Sequence, residues 1–381
     1  MAMYVISILI PWVFLPSMSE NKCVIRLWYH GNLKMKKKVY YPSYLKLDAI
    51  LSSQKCLSLL ESKPAHDEML FIITHQALEL WMKQLHHELD SILDVLGNSS
   101  LDHQGLAMVL HRLERITKVQ DLMRAHFTVL ETMTPLDFLD FRDALIPASG
   151  FQSLQFKQLE KKLGIASAQP DALKKYSKEV LDNHDQASLE KPCFSLFEGI
   201  QAWLERNPFL KFDGYDFETS FLGMVTDVFD QETSRAEDPP FKRAKDDTEE
   251  SKNIKDLKSK FQKDLSETNK GLSKKAFLSA LFIHYYRDQA LLHLPYQILR
   301  TLVEIDQKHV RWKQRHLSLV RMMIGFKTGT GGTSGQGYLH RSIEASTIFP
   351  KLISIPSYMT SRQNLVPLPE HVSKALSFKW V

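Results

Sequence analysis

The sequence predicts an all-α protein, and three stretches support this prediction. Apolar residues recur at helical spacing across residues 66–96, residues 101–129 and residues 276–286. Residues three and four positions apart share one face of a helix, so each stretch is expected to turn an apolar face towards a core. The expected fold is therefore a bundle of packed helices.

Composition places the chain among ordinary globular proteins. Its 381 residues are 44% hydrophobic and 24% charged, and the net charge of +5 is spread over many side chains of both signs. Because there is no dense basic stripe, the chain is not expected to bind nucleic acid. Cys23, Cys56 and Cys193 form no Cys-x-x-Cys pair, which argues against a disulfide framework or a zinc site and favours a reducing compartment.

The first 38 residues differ from the rest. Met3 to Leu15 is an apolar run without a preceding basic residue or a clear cleavage site, and it is too short to span a bilayer. A weak anchor, a poor signal peptide and a mispredicted first exon are all open, and the last is favoured. Residues 1–38 are therefore interpreted as a divergent extension, disordered or mispredicted, and residues 39–381 as one helical domain. No stable membrane insertion is expected, and the expected compartment is the cytoplasm.

The domain is predicted to begin with a helix over Leu45–Leu60. A cluster of tyrosines, Tyr40, Tyr41 and Tyr44, precedes it. Tyrosines in this position usually pack through their rings and keep a polar tip, and they are interpreted in that way.

Residues 66–96 are predicted to form the central helix. Pro64 and the acidic pair Asp67 and Glu68 favour a helix start, because negative charge stabilises the exposed N–H groups there. Apolar residues then cover too much of the circumference for a surface helix. The prediction is a buried helix of about eight turns.

A polar segment, Thr74-His75-Gln76, interrupts the most apolar half of this helix. Phe71 lies one turn before His75 and Glu79 one turn after it, so the three side chains share one stripe. His75 is either a core histidine bonded to a backbone carbonyl or to Glu79, or it faces a pocket with Phe71 as an apolar wall. The stretch alone favours the first interpretation and leaves both open.

Arg142 lies among apolar residues in a short helix that is predicted to start at Thr134-Pro135 and to end before Pro147. Its guanidinium is either paired with an internal carboxylate such as Asp137 or Asp140, or free for an outside one. A guanidinium grips a carboxylate through two parallel hydrogen bonds, which suits the α-carboxylate of an amino acid. Internal pairing is the favoured interpretation.

The middle of the chain offers no defensible motif. Residues 234–275 are dense in charged side chains and are predicted to form a solvated helix or helical hairpin, with an interaction tail as the alternative. Ala276–Tyr286 and Leu294–Ile305 are predicted to be separate helices.

A second histidine and a glycine-rich segment lie near the C-terminus. In a helix that ends at Gly325, His316 shares a face with Trp312 and Met323, and a packed core histidine is again the plainer interpretation. Six of the 15 glycines fall between Gly325 and Gly337. Such a segment indicates a backbone that approaches a ligand or must move, with a plain linker as the alternative. It matches neither a Walker loop nor a dinucleotide fingerprint.

Two isolated histidines on core helices, an arginine among aromatic residues and a polar loop form a specific combination. Helical proteins hold haem iron through a single axial imidazole in apolar surroundings, whereas zinc requires three or four ligands. A non-enzymatic helical haem or gas sensor would keep His316 but would need neither Arg142 nor the glycine-rich segment. A haem-free interaction module would have to explain all of these features as packing.

Three long motifs, in this order, resemble the tryptophan 2,3-dioxygenase family: HDEMLFIITHQALELWMKQLHHELDSI, LETMTPLDFLDFRDALIPASGFQSLQF, and an RW-x-x-x-H helix followed by KTGTGGTSG. The similarity runs from about Tyr41 to about Leu339. It implies a helical haem-binding bundle like that of tryptophan and indoleamine dioxygenases, assembled as a homotetramer, a dimer of dimers. Each subunit of such an enzyme uses haem b to insert O₂ across the C2=C3 bond of L-tryptophan, giving N-formyl-L-kynurenine at the first step of the kynurenine pathway. An inactive paralogue would carry the same motifs.

The resemblance also implies roles for individual residues around the haem. His316 matches the axial iron ligand, whose other nitrogen is oriented by a hydrogen-bond acceptor. His75 matches the catalytic distal histidine, which accepts a hydrogen bond from the indole N–H. Phe71 matches the wall of the indole pocket and, with Ser149 and Gly150, a contact of the haem.

Further matches concern the substrate's amino-acid end and a neighbouring subunit. Arg142 matches the clamp on the substrate carboxylate, and Thr330 matches the loop hydroxyl that meets the ammonium and carboxylate. Tyr41, Tyr44 and Leu45 match the N-terminal segment that completes the site of a neighbouring subunit. The partners implied are L-tryptophan and O₂.

Overall fold

A computed structural model describes residues 38–60, 63–165, 191–237, 247–265, 271–330 and 335–378. The apolar run and most of the predicted N-terminal extension lie outside the described residues, so the boundary after residue 38 stays a prediction. The described part is helical apart from one short antiparallel pair, β1 (Lys211–Phe212) and β2 (Tyr215–Asp216). The predicted all-α class is confirmed.

The helices of the described part are labelled in chain order. They are α1 (Tyr41–Leu45), α2 (Leu47–Leu51), α3 (Leu57–Leu60), α4 (Glu68–Leu96), α5 (His103–Leu130), α6 (Pro135–Arg142), α7 (Leu154–Leu163), α8 (Leu196–Glu205), α9 (Phe217–Glu237), α10 (Asp247–Leu265), α11 (Lys274–Tyr285), α12 (Ala290–Ile324), α13 (Gly335–Glu344), α14 (Pro350–Ser354) and α15 (Glu370–Leu376). Short 3₁₀ turns cover Asp143–Leu145, Gly150–Gln152, Pro208–Leu210, Ile355–Tyr358 and Arg362–Asn364. The chain separates into two compact units, one up to Ser53 and one from Gln54 onwards.

The single helix predicted over Leu45–Leu60 is wrong, because the chain forms α1, α2 and α3 there. Lys46 ends α1 in a left-handed conformation with φ 54°. The hydroxyls of Ser52 and Ser53 donate to the carbonyls of Asp48 and Ile50 at 2.5 and 2.8 Å. Serine side chains that bond to nearby backbone compete with helix propagation, so the helix stops after α2.

Helices α4 and α5 pack against each other and confirm the two longest N-terminal predictions. Asp102 caps α5 by accepting a hydrogen bond from the Gly105 N–H at 2.7 Å. Between the helices, the buried Glu88 carboxylate contacts Arg115 at 2.9 Å and Arg112 at 3.4 Å. Because a buried carboxylate is costly without partners, these contacts fix the register of α4 against α5.

The start of α4 uses a different residue from the one expected for a cap. Asp67 makes no side-chain hydrogen bond to the first turn. Instead Glu68, which is fully buried, accepts hydrogen bonds from the N–H groups of Leu57 and Ser58 at 2.6 and 2.9 Å. The first residue of α4 therefore holds the preceding turn, α3, in place.

Helix α12 is one continuous element of 35 residues, where the sequence predicted a helix over Leu294–Ile305 and a second helix after it. Pro295 lies inside it, close to the N-terminal end, where a missing backbone donor disturbs few hydrogen bonds. The helix ends as predicted at Gly325, which has φ 54°. It packs along α5 and also contacts α6 and α13.

The charged segment and the glycine-rich segment both differ in part from the predictions. Helix α10 is charged, but Phe261 on it is buried against Phe221 and Tyr358, so its inner face belongs to the core. Gly335 and Gly337 lie in α13 rather than in a loop. Within the described ranges, no helix combines the length and the apolarity that a bilayer crossing needs.

Candidate active site

The two histidines that the sequence singled out come close together in space. His75 is on α4 and His316 is on α12. Burial, and secondarily the nearby His75 imidazole, lowers the pKa of His316 to about 4. Phe71, which packs on His75, and Phe127 and Trp312, which flank His316, belong to one apolar cluster, so α4 and α12 bring both imidazoles to the same part of the protein.

His316 is held by aromatic packing. The ring of Phe127 stacks on it at a centroid distance of 6.0 Å, and the ring of Trp312, one turn earlier on α12, lies at 5.6 Å. His316 makes no hydrogen bond with the residues that the structure describes. A neutral imidazole with its nitrogens unengaged has a lone pair available for a metal ion.

His75 is held by a hydrogen bond as well as by packing. Its Nδ1 lies 2.7 Å from the carbonyl oxygen of Phe71, so Nδ1 carries the proton and donates it. Burial lowers the pKa of His75, and the Phe71 carbonyl and Glu79 oppose that effect in part. In the neutral ring Nε2 is then an acceptor. The carboxylate of Glu79 accepts instead from Gln155 at 2.8 Å.

The contact with the Phe71 carbonyl is the one that the core-histidine interpretation predicted. The Phe71 ring also lies 4.1 Å from the His75 ring. A pocket in front of His75, with Phe71 as its wall, stays a prediction.

One apolar cluster encloses both histidines. Phe71 contacts Phe138 and Phe141 of α6 at centroid distances of 5.8 and 5.6 Å. Phe127 and Trp312, which flank His316, belong to the same cluster. Sequence reasoning missed Phe127 and Phe141 as site residues, because their helical spacing is that of any core position and only the packing of α5 and α6 brings them here.

Arg142 ends α6 and points into the protein, with 14% of its side chain exposed. Asp137 and Asp140 are not its partners in the structure: Asp137 accepts from the N–H and hydroxyl of Thr134 in a capping box. The carboxylate that Arg142 contacts is the exposed Asp143, at 3.6 Å, and its guanidinium also donates to the carbonyl of Thr328.

Arg142 also retains an unused donor. Its Nε is buried and has no hydrogen-bond partner among the residues that the structure describes. A buried donor without a partner is unfavourable, so this nitrogen could accommodate a further acceptor.

The segment after α6 brings three more predicted residues together. The hydroxyl of Thr330 donates to the carbonyl of Ala148 at 2.6 Å. The neighbouring Ser149 caps the short turn Gly150–Gln152, and a Cβ placed on Gly150 would meet no atom within 4 Å, so space is open beside it. Thr330, Ser149 and Gly150 therefore lie along one wall.

Tyr41, Tyr44 and Leu45 belong to the first compact unit, with exposed fractions of 71%, 73% and 36%. Their relation to this site stays a prediction.

Comparisons with known proteins agree with the resemblance seen in the motifs. A family model described as tryptophan 2,3-dioxygenase matches residues 29–359. A tryptophan 2,3-dioxygenase of Dictyostelium discoideum is 38% identical over 361 residues, which cover 90% of this chain and 89% of the relative. One from Alteromonas mediterranea is 39% identical, covering 90% and 99%, and one from Anopheles gambiae is 36% identical, covering 89% and 90%.

Proposed function

The chain belongs to the tryptophan 2,3-dioxygenase family, and on this premise we propose how its residues carry out the reaction. The chain is an oxidoreductase that inserts dioxygen into L-tryptophan to give N-formyl-L-kynurenine. Its own side chains are suited to binding, orientation and exclusion of water, while the oxygen chemistry is supplied by a cofactor.

Haem b is the proposed cofactor, and His316 is the residue that would hold its iron. The residues fit the group: His316 is a neutral imidazole free of hydrogen bonds to described residues, and Phe127 and Trp312 flank it with aromatic faces. Ser149 and Gly150 are proposed as further contacts of the haem. When bound, haem supplies a redox-active iron that binds O₂.

The indole of tryptophan is proposed to bind against Phe71 with its N–H directed at Nε2 of His75. The Phe71 carbonyl fixes the tautomer in which Nε2 accepts, so His75 orients the ring edge without needing to remove a proton. The surrounding rings of Phe138 and Phe141 exclude water from the reacting carbons.

The amino-acid end of tryptophan is proposed to bind Arg142 and Thr330. In the structure, Arg142 donates to the Thr328 carbonyl and Thr330 donates to the Ala148 carbonyl. A substrate carboxylate would replace the Thr328 carbonyl and also use the buried Nε, forming the two parallel bonds that a carboxylate and a guanidinium favour. The Thr330 hydroxyl would then turn from Ala148 to the substrate.

Assembly as a homotetramer in the cytoplasm is part of the same proposal. Tyr41, Tyr44 and Leu51 expose 71%, 73% and 72% of their surface, a large apolar exposure for three neighbouring side chains. Apolar side chains gathered in this way typically mark a protein contact, here with a second subunit whose site the segment would complete.

The proposal rests on two groups: the His316 imidazole, which makes no hydrogen bond to a described residue, and the Arg142 guanidinium, whose buried Nε has no partner among the described residues. A haem sensor would need the His316 imidazole and would have no need of the Arg142 guanidinium. We expect purified, reduced protein to show a haem Soret band that shifts when L-tryptophan is added, and to turn tryptophan over in air. A band that is indifferent to tryptophan, without turnover, would favour the sensor.

A further inference from the structure

A buried ion pair lies behind the candidate site. Lys313 on α12 is 3% exposed, and its ammonium contacts the carboxylate of Glu160 on α7. His309, one turn earlier on α12, places Nε2 3.5 Å from the same carboxylate. Burial alone would raise the pKa of Glu160, but His309 and Lys313 bring it below its usual value, so the carboxylate is charged.

The same ammonium also holds the region of α13. Lys313 Nζ donates to the carbonyl and the hydroxyl of Ser342 at 3.1 and 2.8 Å, and to the hydroxyl of Ser346 at 2.7 Å. Ser346 is fully buried and Ser342 nearly so. The Lys313 ammonium thus joins α12 to α7 through the ion pair with Glu160, and it joins α12 to the region of α13 through hydrogen bonds to Ser342 and Ser346.

The chain connects two of these helices to the substrate's amino-acid end. Helix α7 directly follows the wall that contains Ala148 and Ser149, and α13 follows the segment that contains Thr328 and Thr330. That wall and that segment meet through the Thr330 hydroxyl and the Ala148 carbonyl. The relative position of α7 and α13 therefore sets how the two sides of this contact meet.

We propose that Lys313 and Glu160 are positioning residues, which fix α7 and α13 on α12 and so hold Thr328 and Thr330 beside Arg142, where the tryptophan carboxylate binds. This inference rests on the proposed function for the identity of the ligand. Apolar packing tolerates small sliding, whereas a buried ammonium with several acceptors permits one arrangement. Loosening the contacts of Lys313 should weaken tryptophan binding and leave His75 and His316 in place.

A second buried lysine provides the matched control. Lys351 on α14 is 2% exposed, and its ammonium donates to the carbonyls of Asp264 and Leu272 at 2.6 and 2.7 Å. It is as buried as Lys313, and its two hydrogen bonds join α14 to the end of α10 and to the start of the segment before α11. Lys351→Met should loosen the fold at a different place.

The first experiment compares tryptophan kinetics of the full-length holoenzyme. In the Ser342→Ala/Ser346→Ala double variant, the ion pair stays and the hydroxyl contacts to Lys313 are lost. We expect KM for tryptophan to rise about fivefold or more while kcat changes less than about twofold, because binding geometry is lost rather than chemistry. Lys313→Met/Glu160→Gln, which removes both charges together, should act in the same direction. Lys351→Met should leave KM unchanged.

The second experiment does not depend on turnover. Lys327, which is exposed in the segment between α12 and α13, is a trypsin site. Without tryptophan, cleavage after Lys327 should be several times faster in the double serine variant than in the wild type or in Lys351→Met, as measured by mass spectrometry of the fragments.

Either of two results would overturn the inference. Unchanged KM and unchanged cleavage in both double variants would show that the network does not position the segment. Equal changes in Lys351→Met would show general loosening of the fold instead. If the wild type failed to oxidise tryptophan, the proposed function would fall, and the cleavage rates would still decide whether Lys313 anchors the segment.

Discussion

The two sides of the site are built in opposite ways. The His316 side, consisting of His316, Phe127 and Trp312, holds its imidazole by ring packing and leaves it without a hydrogen bond to any described residue. The His75 side places its histidine, with Arg142 and Thr330, in bonds to backbone carbonyls. One side keeps a lone pair free, and the other sets the direction of donors and acceptors.

This difference indicates a division of work. A histidine must be neutral to bind a metal ion, and aromatic packing leaves its nitrogens accessible. The hydrogen-bond acceptor expected for the other nitrogen of His316 is not found among the described residues. Groups that orient a polar substrate need fixed tautomers and fixed directions, and backbone carbonyls provide both. Removing a side chain on the His316 side should therefore affect haem binding, whereas removing one on the His75 side should affect kcat/KM for tryptophan.

The largest effect is expected on the His316 side. His316→Ala removes the proposed axial ligand and should abolish stable haem incorporation, while far-ultraviolet circular dichroism shows unchanged helix content. His293→Ala, an exposed histidine on the same helix, is the control and should keep its haem. A normal Soret band in His316→Ala would contradict the ligand assignment.

On the His75 side, Arg142→Ala should have the strongest effect. Loss of a charge-assisted bidentate contact should cost about 2 to 4 kcal/mol of transition-state binding, measured as kcat/KM for tryptophan. Arg206→Ala is the control, because that arginine also donates to backbone carbonyls, those of Asn98 and Ser99, elsewhere on the surface. Unchanged kcat/KM in Arg142→Ala would remove its proposed role.

The pH dependence of the haem-free chain tests the packing of His316. Its pKa is 6.5 when unperturbed and about 4 in the fold, so between these values the unfolded chain binds a proton that the folded chain does not. Stability should therefore fall as pH falls, by about 2 kcal/mol between roughly pH 7.5 and pH 5 from this residue. In urea unfolding, His316→Gln should not show this contribution to the loss of stability. An identical pH dependence in the wild type and in His316→Gln would contradict the assignment of the effect to His316.

The smallest effect is expected for His75→Ala. One neutral hydrogen bond to the indole N–H is lost, which corresponds to about 1 kcal/mol, or less than about tenfold in kcat/KM. His86→Ala is the control, since that histidine is on the same helix but bonds to the Gln155 carbonyl at 3.0 Å. Complete loss of turnover in His75→Ala would indicate an obligate base rather than an orienting group.

The sequence was sufficient for the long elements and for selecting His75, Arg142 and His316 as candidate site residues. Helical spacing alone located α4, α5 and the end of α12 at Gly325. The prediction of one helix over Leu45–Leu60 was wrong, because the left-handed conformation of Lys46 and the hydrogen bond of the Ser52 side chain to the backbone interrupt the helix there. The sequence prediction also divided α12 after Ile305, whereas the structure continues one helix from Ala290 to Ile324.

The parts that could not be predicted depend on contacts between distant segments. Arg142 was expected to pair with an internal carboxylate such as Asp137 or Asp140, whereas it contacts Asp143 and also donates to the carbonyl of Thr328, far along the chain. Lys313 and Glu160 lie on helices that have no sequence relation, so no spacing rule pairs them. The spacing of apolar residues predicts which face of a helix is buried. Only the three-dimensional structure shows which residues of other segments contact that face.

The Glu68 carboxylate has a practical consequence for shortening the chain from its N-terminus. Any version that starts after Ser58 would remove both N–H groups on which this carboxylate depends and would leave a charge deep in the protein at the very start of α4. Trimming up to Cys56 keeps those groups, and deeper trimming should be accompanied by Glu68→Gln or Glu68→Leu. For the folding of α4, the deepest tolerated cut is thus set by one acidic side chain rather than by the edge of a helix, whereas the site proposed to be shared between subunits requires the chain from Tyr41 onwards.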